Sequence, residues 1–159
     1  MPSTPLVLPA LDPAAVKSAE GSSYPAQYKS VVAGRAKRRL GDALGLTHFG
    51  VNLTTISAGA SSALRHWHSH EDEFIYMLEG ELVLLTDAGE QLLRPGMCAG
   101  FPAGKADGHC LVNRSGQDAV YLEVGDRDTR DDVSYPDNDL VARATPQGRR
   151  FTKKDGTPY

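Results

Sequence analysis

Four side chains in this sequence have the types and the spacing to hold a metal ion: His66, His68, Glu73 and His109. Side chains of an extended strand alternate between its two faces, so His66 and His68 point the same way. Glu73 opens the next alternating run after Ser69-His70-Glu71-Asp72, and a hairpin is expected to return its carboxylate beside the two imidazoles. His109 lies beyond a second Gly/Pro-rich turn and shares its strand face with Leu111 and Asn113. Three imidazoles and one carboxylate suit one divalent transition ion, Zn, Fe, Mn, Ni or Co, and leave one or two positions open, as a catalytic metal requires. A His-x-His pair alone is often a surface alternation; Glu73 and the His109 segment are what raise it to a site. His70 shares the parity of His66 and His68 but falls at the turn, so it is expected at the rim. Glu71 and Asp72 read as turn carboxylates, Arg65, Trp67 and Tyr76 as outward-facing, and His48 as unpartnered.

The elements that must position these groups read as short strands. From His48 onward, runs rich in Val, Thr, Ile, Phe and Tyr recur at roughly ten-residue spacing, divided by turns such as Asp87-Ala88-Gly89, Arg94-Pro95-Gly96 and Pro102-Ala103-Gly104. Expected strands are His48–Ser57, Ala63–His68, Glu73–Leu78, Glu81–Thr86, Glu90–Leu93, Met97–Phe101, His109–Asn113 and Ala119–Val124, which implies an all-β sandwich or barrel. Residues 1–46 form an N-terminal arm and lead-in segment, residues 47–125 the barrel core, and residues 126–159 a polar C-terminal tail, all in one domain. In the arm, Pro2, Pro5, Pro9, Pro13 and Pro25 favour extended chain, with an N-cap at Asp12 and first-turn Pro13 before Ala14–Ala19. Residues 35–46 are ambiguous between a helix and a strand with a turn.

The totals exclude several classes. A chain of 159 residues with 40% hydrophobic and 23% charged residues is ordinary for a soluble globular protein. A net charge of -3 and a pI near 5.9 argue against nucleic acid or an anionic membrane as partner. The basic cluster Arg35, Lys37, Arg38, Arg39 reads as a solvated face, with a phosphate-bearing ligand as a weaker option. The two cysteines, Cys98 and Cys110, cannot form a disulfide framework and are expected to be reduced and buried. The N-terminus lacks a signal-peptide pattern and no apolar run reaches membrane-span length, so a cytoplasmic location is expected.

Together, two segments of this chain resemble the paired motifs of the cupin superfamily. Gly59, His66, His68, Glu73 and Gly80 follow the order of the first motif; Gly96, Pro102, Gly104, His109 and Asn113 follow the second. Two loops are longer than the pattern: six residues separate Gly59 from His66, and four separate Gly104 from His109. The resemblance spans about Val51 to Val124 and implies a double-stranded β-helix, a jelly-roll-like barrel with an extended arm and tail. It implies a homodimer paired through barrel edges, since an open sheet edge is a liability a twofold partner covers. The wider stretch resembles bacterial single cupins described as sugar-phosphate isomerases. That implies a metal-dependent enzyme on a small polar substrate, with a phosphate held by Lys105, Arg114 or the Arg35–Arg39 cluster. A metal-dependent dioxygenase or decarboxylase, and a non-catalytic ligand-binding or sensory module, remain alternative readings of the same site.

Overall fold

A computed structural model describes residues 7–159, so Pro2 and Pro5 of the arm lie outside the described residues. The chain is mostly β, as its alternation requires. Six strands form one sheet in the order β1 (Ser18–Glu20), β2 (Arg35–Arg39), β3 (Phe49–Ile56), β10 (Ala119–Asp126), β5 (Glu73–Glu79), β8 (Cys98–Phe101). A three-stranded sheet joins β7 (Gly89–Leu93), β6 (Leu82–Thr86) and β9 (Cys110–Val112). A four-stranded sheet joins β13 (Gly148–Thr152), β12 (Leu140–Thr145), β11 (Asp132–Tyr135) and β4 (Trp67–His68).

Two apolar clusters hold these sheets. Ile56 and Met77 of the six-stranded sheet meet Leu82, Leu84 and Leu111 of the three-stranded sheet in the first. Each such side chain, fully buried, contributes about 1.5–3 kcal/mol. The second cluster packs Tyr24 and Val32 of the N-terminal segment on Val133, Tyr135, Leu140 and Ala142 of the four-stranded sheet. The polar tail therefore forms three strands and shares a second core with the N-terminal segment, carried by the alternating burial of β11 and β12.

Particular motif residues have clear structural reasons. Gly80 has φ +68°, and a Cβ there would sit 2.7 Å from the Asp118 carbonyl oxygen. No L side chain fits that turn. Asn113 is fully buried; its amide donates to the Ile56 and Gln117 carbonyls, both at 2.8 Å, which clamps the turn between β9 and β10.

Several expectations change. Asp12 does cap a helical turn at Pro13, but it is a 3-10 turn that ends at Ala15. The ambiguous residues 35–46 are both things in succession: strand β2, then one helical turn, α1 (Leu40–Ala43). Cys110 is buried, and burial pushes its thiol up to about 11. Cys98 is exposed, because strand parity turns Ala99 and Phe101 inward and leaves Cys98 on the outer face of β8.

Candidate metal centre

The four sequence-predicted residues converge on one carboxylate oxygen. Glu73 Oε2 lies 2.9 Å from His109 Nε2, 3.3 Å from His68 Nε2 and 3.6 Å from His66 Nε2. Glu73 starts β5, directly opposite Gly125 of β10 and Phe101 of β8. His66 and His109 face each other through a pair of main-chain bonds, His109 N–H to the His66 carbonyl at 2.8 Å and the reverse at 3.0 Å. The longer turn after Gly104 does not divert His109: an insertion of two residues keeps strand parity, and Phe101 stacks flat on its ring at 3.6 Å.

Glu73 does not reach the imidazoles through a hairpin. β4 pairs with β11, whereas β5 pairs with β10 and β8, so residues 69–72 cross from one sheet to another. The crossing is fastened by residues of the tail: Ser69 N–H donates to the Asp132 carbonyl, and His70 N–H donates to Asp131 Oδ1. His70 itself is exposed at the rim.

Ring orientation is set from outside the cluster. His66 Nδ1 donates to the Leu64 carbonyl at 2.8 Å and His68 Nδ1 to Asp131 Oδ2 at 2.7 Å. With Nδ1 carrying the proton, each Nε2 turns a lone pair toward the Glu73 carboxylate, itself a pure acceptor. Lone pairs from two rings and a carboxylate, with ligand atoms within 4.8 Å of one another, fit a cation between them. His109 Nδ1 is buried without a hydrogen-bond partner among the described residues, and its Nε2 is the nitrogen that meets Glu73, at 2.9 Å.

Burial works against charge on His68, but hydrogen bonds to Asp131 and Glu73 outweigh it and push the imidazole up to about 9. Burial would raise Glu73, yet His109, His66 and His68 hold it well below the usual carboxylate range. His109 is lowered, chiefly by its own burial.

Sequence reasoning missed the shell behind His68. Asp131 is 0% exposed and accepts from His68, from His70 N–H and from Arg149 at 3.0 Å. Burial would raise it, but the bonds from His68 and the His70 main chain bring it down to about 2. Glu71, read as a turn carboxylate, also pairs with Arg149 at 3.0 Å. His68, Glu71 and Asp131 are close enough to form a second donor group, but the Arg149 guanidinium supplies its positive charge. No spacing in the tail marks Asp131 or Arg149; both become recognisable only where β11 meets β4 and β13 brings Arg149 alongside.

A cavity of about 440 Å³ opens on this cluster. One wall is the inner face of the six-stranded sheet. Glycines at 50 and 125 clear the space beside Glu73, and alternation along β2 turns Arg35, Lys37 and Arg39 into the cavity. Arg38 faces the other way and donates to the Ala14 and Val16 carbonyls. Arg35 and Lys37 thus belong to a cavity wall rather than a solvated face, while Arg39, 68% exposed, stays solvated at the cavity rim. Lys105 is exposed outside the cavity lining, and Arg114 is also exposed, paired with Glu90. Arg65 is engaged by Asp87 and Asp137.

Comparison with known proteins agrees with this geometry. Residues 52–125 match the family described as Cupin domain. No curated protein matches the chain. A crystal structure described as a cupin-superfamily sugar phosphate isomerase from Silicibacter pomeroyi is 44% identical, with TM-score 0.92, over 95% of this chain and 96% of that one. A candidate sugar phosphate isomerase from Acidithiobacillus ferrooxidans is 30% identical, with TM-score 0.72, over 79% and 80% of the two chains. The polyketide cyclase RemF from Streptomyces resistomycificus is 25% identical, with TM-score 0.62, over 74% and 78%. Paired motifs, jelly-roll sheets and near-full-length likeness together make this chain a member of the cupin superfamily.

Proposed function

We propose that this cupin is a metal-dependent isomerase of a small sugar phosphate. His66, His68, Glu73 and His109 would hold one divalent transition ion, whose contribution when bound is to polarise the substrate carbonyl and hydroxyl as a Lewis acid. The observation that carries the reading is the cavity wall: one strand aims Arg35, Lys37 and Arg39 into a space that ends at the His/Glu cluster. Arg35 is anchored by the main-chain carbonyls of Ser62 and Gly21, which leaves its charge without a carboxylate partner among the described residues. A phosphate is the small-molecule group that such a guanidinium suits. The likeness to the Silicibacter protein supports the same substrate class. The test is interconversion of five- and six-carbon aldose and ketose phosphates by purified protein, with its metal content measured in parallel. Turnover that stops with chelator and returns with one divalent ion is the expected result. Metal-loaded protein that interconverts none of them would refute the reading.

A homodimer belongs to the same reading. The outer face of β5 exposes Phe74, Tyr76 and Leu78 side by side, an apolar stripe suited to a second copy. Light scattering should give twice the chain mass, and Tyr76→Lys should shift it toward monomer. A monomeric wild type would dismiss the dimer.

A further inference from the structure

We infer that Glu123, seated by Lys37, is the catalytic residue that carries the proton between the two reacting carbons; this rests on the isomerase reading above. The pair is partly buried, with the Glu123 and Lys37 side chains 16% and 26% exposed. Glu123 Oε1 accepts from Lys37 Nζ at 2.7 Å and from the Asn52 amide at 3.0 Å. Oε2 accepts from Lys37 at 3.0 Å and from the Tyr121 hydroxyl at 3.3 Å. A side chain held by three residues from three strands has one position, and its position is informative.

In the antiparallel register Glu123 stands opposite Ile75, two residues along from the Gly125–Glu73 pair. Its strand position is therefore diagonal to that of Glu73, about 7–8 Å away on the same inner face. Glu123 and Lys37 line the large cavity and also a recess of about 60 Å³ that they share with His66, Glu73 and His109. The neighbouring carboxylates have other work. Glu73 faces three imidazoles, Glu71 and Asp131 hold Arg149, and Asp42 holds Arg127. A partly buried ion pair adds little to stability compared with apolar packing of the same volume. Stability alone does not account for its place in the wall of a reaction-sized cavity.

The chemistry balances without a further reactant. Glu123 Oε2, the oxygen with the longer contacts, takes the proton from C2 of an aldose phosphate. The C–H electron pair becomes the C1=C2 bond, and the C1 carbonyl electrons move onto O1. One proton passes from O2 to O1. Glu123 then returns its proton to C1 as the O2 electrons form the C2 carbonyl. C2 is oxidised, C1 is reduced, and Lys37 stays an ammonium throughout, donating to the carboxylate.

The test uses full-length, metal-loaded protein in deuterated water, with NMR following both interconversion and deuterium at the transferred position. Glu123→Gln should lower kcat by about 10²–10⁴-fold, leave KM within about threefold, keep wild-type metal content, and abolish deuterium incorporation. If Glu123→Gln does not fold, Glu123→Asp, which keeps the charge and retracts it by one methylene, should lower kcat by at least about tenfold with metal retained. A folded variant with wild-type kcat and deuterium incorporation overturns the proposal and leaves the isomerase reading standing. A wild type that interconverts no sugar phosphate overturns both.

Discussion

The two regions that wall the cavity use polar groups in different ways. The stretch from β3 to β10 turns His66, Glu73 and His109 inward from strands whose other inward residues, such as Ile75, Met77 and Leu111, are core. There the site is a polar patch at one end of an apolar interior. The tail, from Asp131 onward, places no side chain at the meeting point of the four residues; it holds His68 from behind through Asp131 and Arg149 and sets the Tyr135 ring 5.9 Å from that of His66. The centre thus has an inner set fixed by strand alternation and an outer set fixed by packing between sheets. A ring held only by the first would be free to swing; the Asp131 bond sets which nitrogen of His68 faces inward.

The largest expected effect tests the inner set. His68→Ala should lower affinity for a divalent transition ion by more than about 100-fold in isothermal titration, since outer partners alone account for about 10–100-fold. A loss under tenfold would remove His68 from the site. Asp131→Asn should follow with a loss in that 10–100-fold range, although Asp131 belongs to the other region. Wild-type affinity in that variant would reduce the tail to packing.

The two apolar cores can be weakened separately. Met77→Ala in the first core and Leu140→Ala in the second should each cost about 2–5 kcal/mol, because each empties a fully buried position. Denaturation followed by tryptophan fluorescence and by circular dichroism should give coincident transitions in both variants. Separate transitions would mean that the two regions fold independently.

Titration separates the regions more gently. In metal-free protein His68 is pushed from 6.5 up to about 9, so its contribution to stability is complete below 6.5 and is lost as pH rises through 9. Asp131 is held from 3.8 down to about 2, so its contribution is present above 3.8 and is lost as pH falls toward 2. Melting temperature in chelator should therefore fall at both ends, and Asp131→Asn should flatten both limbs at once. A variant that loses only the acid limb would uncouple the pair. The smallest effect belongs to Arg114→Ala, whose partner Glu90 is exposed and remote from the cavity lining: turnover and melting temperature should match wild type, and a changed KM would bring it back as a substrate contact.

Local rules account for everything that was legible in the sequence. Alternation at two residues put His66 and His68 on one face, and an even insertion kept His109 inward. Turn residues such as Gly80 and Asn113 marked where strands end, for reasons that are visible in their own backbone and side-chain bonds. These requirements act over a few residues, so they leave fixed spacings. Contacts between distant segments settled that Glu73 arrives by crossing between sheets and that three cations of β2 face a cavity. They alone brought Asp131, 63 residues beyond His68, to the imidazole. Such a partner needs only to be an acid in the right place after folding, and contacts between distant segments leave no spacing to read.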